Sequence, residues 1–131
     1  MTCNVAKTVC MVFNPKNRKM IVDSDFPCLT INGADLQYVS QFKYLGHIVN
    51  NNFSDDDDMK REIRNMFIRS NILTRRFSKC SISVKLRLFK AYCLCFYDAA
   101  IWLNFSVTTY NKLRSCYNKC IKMFFFKIQT L

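Results

Sequence analysis

Residues 40–58 read SQFKYLGHIVNNNFSDDDD, and the fold class turns on them. Up to Val49 the run is apolar and aromatic-bearing, the composition of a strand. Gly46 interrupts it. The chain has only two glycines, so one at this point marks either a positive φ or a close approach to the backbone. Asn50-Asn51-Asn52 then ends the strand pattern. Ser54 followed by Asp55, Asp56 and Asp57 predicts a helix N-cap with acids at the positive end of the dipole. A metal cage is the sharper reading of the aspartate run. It is disfavoured, because adjacent aspartates on a helix fan around the axis instead of converging.

Upstream of this boundary the pattern favours strands. Val5, Val9, Met11 and Phe13 sit at odd positions in a roughly alternating run, which Asn14-Pro15 breaks. Residues 19–22 form a second short strand candidate. Asn32-Gly33 between apolar flanks is the hairpin-turn signal, which makes Gly33 a turn glycine. Residues 42–49 close the sheet region.

Downstream the period changes to that of a helix. Met59, Ile63, Met66, Phe67, Ser70, Leu73, Thr74 and Phe77 make one core-facing stripe. Lys60, Arg61, Arg64, Arg75 and Lys79 gather on the opposite side, with Ile68 and Ile72 among them. A second helix is predicted over residues 83–103, apolar nearly all round after Lys90 and therefore central and buried. A third is predicted from Thr108 or Thr109, with Tyr110, Leu113, Tyr117, Cys120, Ile121 and Phe124 inward and Lys112, Lys119 and Lys122 on its basic side. The apolar, uncapped end at 124–131 reads as the edge of a truncated bundle. The expected fold is α+β: a small hairpin-rich part, residues 1–53, then a three-helix bundle, residues 54–131.

Charge separates the same two parts. The whole chain carries a formal net charge of +11. Residues 1–53 hold five Lys/Arg against three Asp, whereas residues 54–131 hold fifteen against six acids. Such an excess points to a polyanionic partner, nucleic acid or an anionic membrane face. The eight cysteines include no Cys-x-x-Cys pair, and the chain has a single histidine, His47. Cys93, Cys116 and Cys120 fall in apolar helical stripes, so buried thiols are expected in place of a zinc site. No signal peptide opens the chain, which fits a reducing intracellular compartment. Residues 91–107 are too short and too polar to span a bilayer.

Several stretches together resemble one family. Asn4-Val5-Ala6-Lys7-Thr8-Val9-Cys10-Met11, then Phe42-Lys43-Tyr44-Leu45-Gly46, then Arg61-Glu62-Ile63-Arg64 and Lys90-Ala91-Tyr92-Cys93 resemble, in order, reverse transcriptases of non-LTR (LINE-type) retrotransposons. The first stretch is similar to palm motif D and Tyr-Leu-Gly to motif E, the primer-grip hairpin; the helices that follow would form the thumb. By this resemblance Phe42, Tyr44, Leu45 and Gly46 position the primer's 3′ end, and Lys7 lies where a motif D lysine faces nucleotide phosphates.

The resemblance also implies what this chain does not do. In that family a palm aspartate pair holds two Mg²⁺ ions for catalysis. The pair lies upstream of motif D, where this chain begins, and the run 55–58 lies downstream and opens a helix. No polymerase activity, catalytic residue, metal site or cofactor is therefore expected of the chain alone. The expected residual role is sequence-tolerant binding of template–primer duplex by Lys60, Arg61, Arg64, Arg75 and Lys79, with Lys112, Lys119 and Lys122 behind them. The missing fingers and palm would be its partners in the parent enzyme. The alternative, from a different class, is a basic helical module that docks on acidic protein or anionic membrane.

Overall fold

A computed structural model of the chain describes residues 3–14 and 26–126, and it is α+β: three helices with short strands in small sheets. The strand candidate at residues 19–22 and the end of the chain at 127–131 lie outside the described residues. The chain divides into two units, Met1–Asp55 and Asp56–Leu131.

The first unit is built of short pairings. Alternation over residues 5–13 predicts a strand, but Val5–Lys7 is a single 3₁₀ turn and the strand that follows, β1, is only Val9–Cys10. Local bonds decide this. The Thr8 hydroxyl and the Lys7 amide both donate to the Asn4 carbonyl, at 2.9 and 3.1 Å, and so satisfy it inside the turn. Beyond the turn, β1 has a partner for two residues, pairing in parallel with β4 (Gln37–Tyr38).

Both glycines lie in two-residue hairpin turns. β2 (Thr30–Ile31) and β3 (Ala34–Asp35) are joined by Asn32-Gly33, with φ of 52° and 78°. β5 (Gln41–Tyr44) and β6 (His47–Asn50) are joined by Leu45-Gly46, with φ of 48° and 88°. Positive φ at both central residues is the type I′ geometry that suits the strand twist. The Asn-Gly turn follows its sequence signal. In the second hairpin a leucine occupies a left-handed position that is strained for a γ-branched side chain.

The second unit holds α1 (Asp56–Phe77), α2 (Ile82–Tyr92) and α3 (Val107–Phe125). The α1 stripe faces inward as its periodicity predicts, with Met59, Met66, Ser70 and Leu73 buried. Its core partners are Phe89 and Cys93 from α2 and its C-cap, and Cys116, Cys120 and Phe124 from α3. Small residues line the α1–α3 contact: Ser70 Oγ donates to the Cys120 carbonyl at 3.5 Å, and Cys116 Sγ donates to the Ile63 carbonyl at 3.6 Å. Short side chains let the two helices approach closely, so α1 and α3 form the centre.

That arrangement corrects the expectation for the second helix. It ends at Tyr92, eleven residues short of Leu103, and Phe89 is its only buried residue. The Leu94 amide reaches back to the Phe89 carbonyl at 3.3 Å, closing the last turn. Cys93-Leu94-Cys95-Phe96-Tyr97-Asp98 contains mostly poor helix formers. Residues 93–105, which made the segment look apolar all round, form an irregular connection with a 3₁₀ turn at Ala99–Ile101. α3 begins one or two residues earlier than predicted, capped by Ser106 Oγ, which accepts from the Thr109 amide at 3.1 Å. Its inward stripe holds at Leu113, Tyr117, Cys120, Ile121 and Phe124, gains the buried Thr109 and Cys116, and loses Tyr110, which is exposed.

Candidate nucleic-acid interface

In the second unit, the ion pairs cluster at the start of α1. The first turn of α1 carries Asp56, Asp57 and Asp58, and each reaches a different partner. Asp56 accepts from the Ser106 amide at 2.8 Å, Asp57 pairs with Lys60 at 2.9 Å, and Asp58 pairs with Arg61 at 2.7 Å. Burial pushes the Asp56 carboxyl up, but hydrogen bonds from Ser106 and Thr109 and the nearby Lys60 outweigh it and hold the group below the usual carboxylate range. The fanned arrangement is the one the sequence predicts for a helix start. Phe53-Ser54-Asp55-Asp56 spells aromatic-x-Asp-Asp, yet Asp56 is the first residue of α1 and not part of a hairpin turn.

Arg61 differs from the expectation. Its guanidinium binds Asp58, Glu62 and Asp98 at 2.7, 2.7 and 2.5 Å, and its side chain is mostly buried. Hydrogen bonding to Asp58 raises its already high pKa. It is a structural ion pair at the start of α1, so the geometry removes Arg61 from the open basic face. Arg69 adds to the same cluster at 3.5 Å from Glu62.

Because Asp58, Glu62 and Asp98 are occupied there, the other cations of the unit have few acids near them. Arg64, Arg75, Lys79, Lys112, Lys119 and Lys122 are exposed and form no ion pair with a described residue. Lys60, from α1, and Lys112 and Lys119, from α3, line one groove of about 270 Å³ together with Ser115, Ile63, Phe67 and Cys116. A second recess of about 370 Å³ lies along α3 between Asn111, Arg114, Ser115, Asn118, Lys119 and Lys122. No carboxylate lines either. Lys60 has a second claim on it, since the bond to Asp57 raises its pKa; both side chains are about half exposed, where such a pair is weak.

Arg64, Arg75 and Lys79 are exposed but line neither recess. The sequence reading missed Asn111, Arg114, Ser115 and Asn118. Their spacing of three and four along one helix face, without an acid or an apolar residue, is the signal that marks them.

In the first unit, Lys7 and the hairpin meet. Lys7, Phe42 and Tyr44 line one groove of about 420 Å³ together with Val9, Met11, Phe13 and Val49. Phe42 and Tyr44 project from the same face of β5, whose four residues are all exposed. Phe13 stacks on Phe53 with ring centres 5.0 Å apart. Leu45 and Gly46 stand at the turn and do not line this groove. A Cβ built on Gly46 would meet nothing within 4 Å, so the glycine answers to its φ of 88° and not to a close approach within the chain.

Three of the eight cysteines, Cys93, Cys116 and Cys120, are buried, as their stripes predict. Burial pushes the Cys93 thiol up to about 11 and, with Cys120 beside it, the Cys116 thiol up to about 12. Neutral, inert thiols are what such surroundings maintain. Among the described residues no helix is long and apolar enough to cross a membrane. No family model, curated protein or solved structure matches this chain.

Proposed function

We propose that this chain binds nucleic acid through its sugar–phosphate backbone, without sequence preference and without catalysis of its own. One observation carries the reading: lysine side chains from two helices, Lys60 and the pair Lys112 and Lys119, line one groove that no carboxylate lines. Phosphates are the anions that a row of lysines on rigid helices engages in series. The groove's apolar residues, Ile63 and Phe67, suit the sugar edges between them. The resemblance to the end of the palm and the thumb of a LINE-type reverse transcriptase supports the same role. In that setting Phe42 and Tyr44 grip a primer end while Lys7 faces phosphate.

The test compares the wild-type chain with a Lys60→Gln/Lys112→Gln/Lys119→Gln variant in mobility shifts on a primer–template duplex. Loss of three phosphate contacts is expected to weaken binding by at least roughly tenfold at moderate salt. The same proteins are run against anionic phospholipid vesicles. Binding to vesicles with none to duplex would assign the surface to a membrane face and remove this proposal.

A further inference from the structure

The end of the second unit where α1 meets α2 is loosely held. From Thr74 to Leu88 no side chain is buried, although Phe77 packs partly against the core. Ile82 at the start of α2 is 76% exposed. The link from Ser78 to Ser81 is not helical, and the Cys80 amide donates to the Phe77 carbonyl across it at 3.2 Å. Segments with so little burial open locally at low free-energy cost. This end holds the run Arg75-Arg76-Phe77-Ser78, with Arg75, Arg76 and Lys79 exposed.

We infer that Ser78 is a phosphorylation site for a serine/threonine kinase that selects paired arginines ahead of the acceptor. Two guanidiniums three and two residues before a serine offer such an enzyme a fixed, bidentate handle for its own carboxylates. Local opening of the last turn of α1 supplies the extended substrate conformation. In the transfer, Ser78 Oγ forms a bond to the γ-phosphorus of ATP, the bridging bond to ADP breaks, and the hydroxyl proton passes to the kinase's base.

Phosphate at this position has a specific consequence. It places about −1.5 to −2 charge beside Arg75, Arg76 and Lys79, which then pair with it through charge-assisted hydrogen bonds. Cations engaged in this way are withdrawn from an external polyanion. Phosphorylation of Ser78 thus weakens duplex binding where the duplex extends past the groove to the exposed Arg75 and Lys79, a consequence that rests on the nucleic-acid reading above, whereas the modification itself does not.

The experiment treats the full chain with ATP and the catalytic subunit of cyclic-AMP-dependent protein kinase and locates phosphate by mass spectrometry. One phosphate on Ser78 is expected, with loss of label in Ser78→Ala and slowed labelling in Arg75→Ala/Arg76→Ala. Ser81 and Ser83, whose hydroxyls lie 3.1 Å apart at the start of α2, are the competing acceptors. Label on either with Ser78 unmodified, or no label on the wild type, overturns the site. Duplex binding of the unmodified and modified chains is then compared across salt. If two phosphate contacts are lost, the slope of log K against log salt becomes less negative by about 1.8. An unchanged slope overturns the regulatory consequence alone, and absence of duplex binding by the unmodified chain overturns the earlier reading instead.

Discussion

The indole N–H of Trp102 donates to the Asp58 carboxylate at 2.9 Å, joining the first turn of α1 to the connection that precedes α3. Asp58 is fully buried, and its other oxygen accepts from Arg61 at 2.7 Å. The carboxylate thus completes its hydrogen bonding inside the protein, which a buried charge requires. Removing it strands the Arg61 charge. Asp58→Ala is expected to destabilise the second unit by about 3–5 kcal/mol. Trp102→Phe keeps the ion pair and should cost less, about 1–3 kcal/mol. Urea denaturation followed by circular dichroism measures both; equal, small losses would show that the cluster contributes little.

The hairpin tip carries a strain that one substitution should relieve. Leu45 is 89% exposed and has φ of 48°, so it gains nothing from burial while holding a left-handed backbone. Asparagine tolerates this conformation and is the residue type I′ turns favour at this position. Leu45→Asn is expected to stabilise the first unit by about 0.5–1 kcal/mol. Gly46→Val should destabilise it through its φ alone, because no neighbour is there to clash with. Thermal melts of the three proteins give the order. A Leu45→Asn variant that melts below the wild type would mean that the leucine packs on something.

These two sites also mark how far the sequence could be read. The Asn32-Gly33 turn and the inward stripe of α1 were legible because each depends on neighbours a few residues away. Gly46 stands out by the scarcity of glycine, but Leu45 does not advertise a turn, so the run reads as one strand with a glycine in its middle. The second helix failed for a different reason. Residues 93–98 are mostly apolar yet poor helix formers, so an apolar count runs past the helix end, and the contacts of the connection that follows, Asp98 with Arg61 and Trp102 with Asp58, join residues far apart in the chain. The same long-range cluster is why Arg61 read as a surface cation. The basic residues of α3 were legible from charge alone, whereas their meeting with Lys60 required the α1–α3 packing.

The buried thiols give the molecule a defined alkaline limit. Cys93 and Cys116 shift from an ordinary value of 9.0 to about 11 and about 12. A folded-state pKa above the unfolded one means the native state holds its proton more tightly. The associated stability is complete below pH 9 and disappears as pH rises through 11 and 12. Stability measured in urea should therefore be level with respect to these groups from pH 7 to 8.5 and fall above 9. At pH 8 a thiol reagent should label the exposed Cys3 first, Cys28 more slowly because its hydrogen bond to Asp35 holds the thiol protonated, and leave Cys93, Cys116 and Cys120 unmodified until unfolding. Prompt labelling of Cys116 in the native protein would contradict this.

The central claim is that lysines and arginines on α1 and α3 hold a nucleic-acid backbone. Its most direct test is the affinity of the purified chain for a primer–template duplex as salt is raised. With about four phosphates engaged, log K should fall linearly against log salt with a slope of roughly −3.6, whatever the base sequence. A flat response, or no binding at low salt, would contradict it.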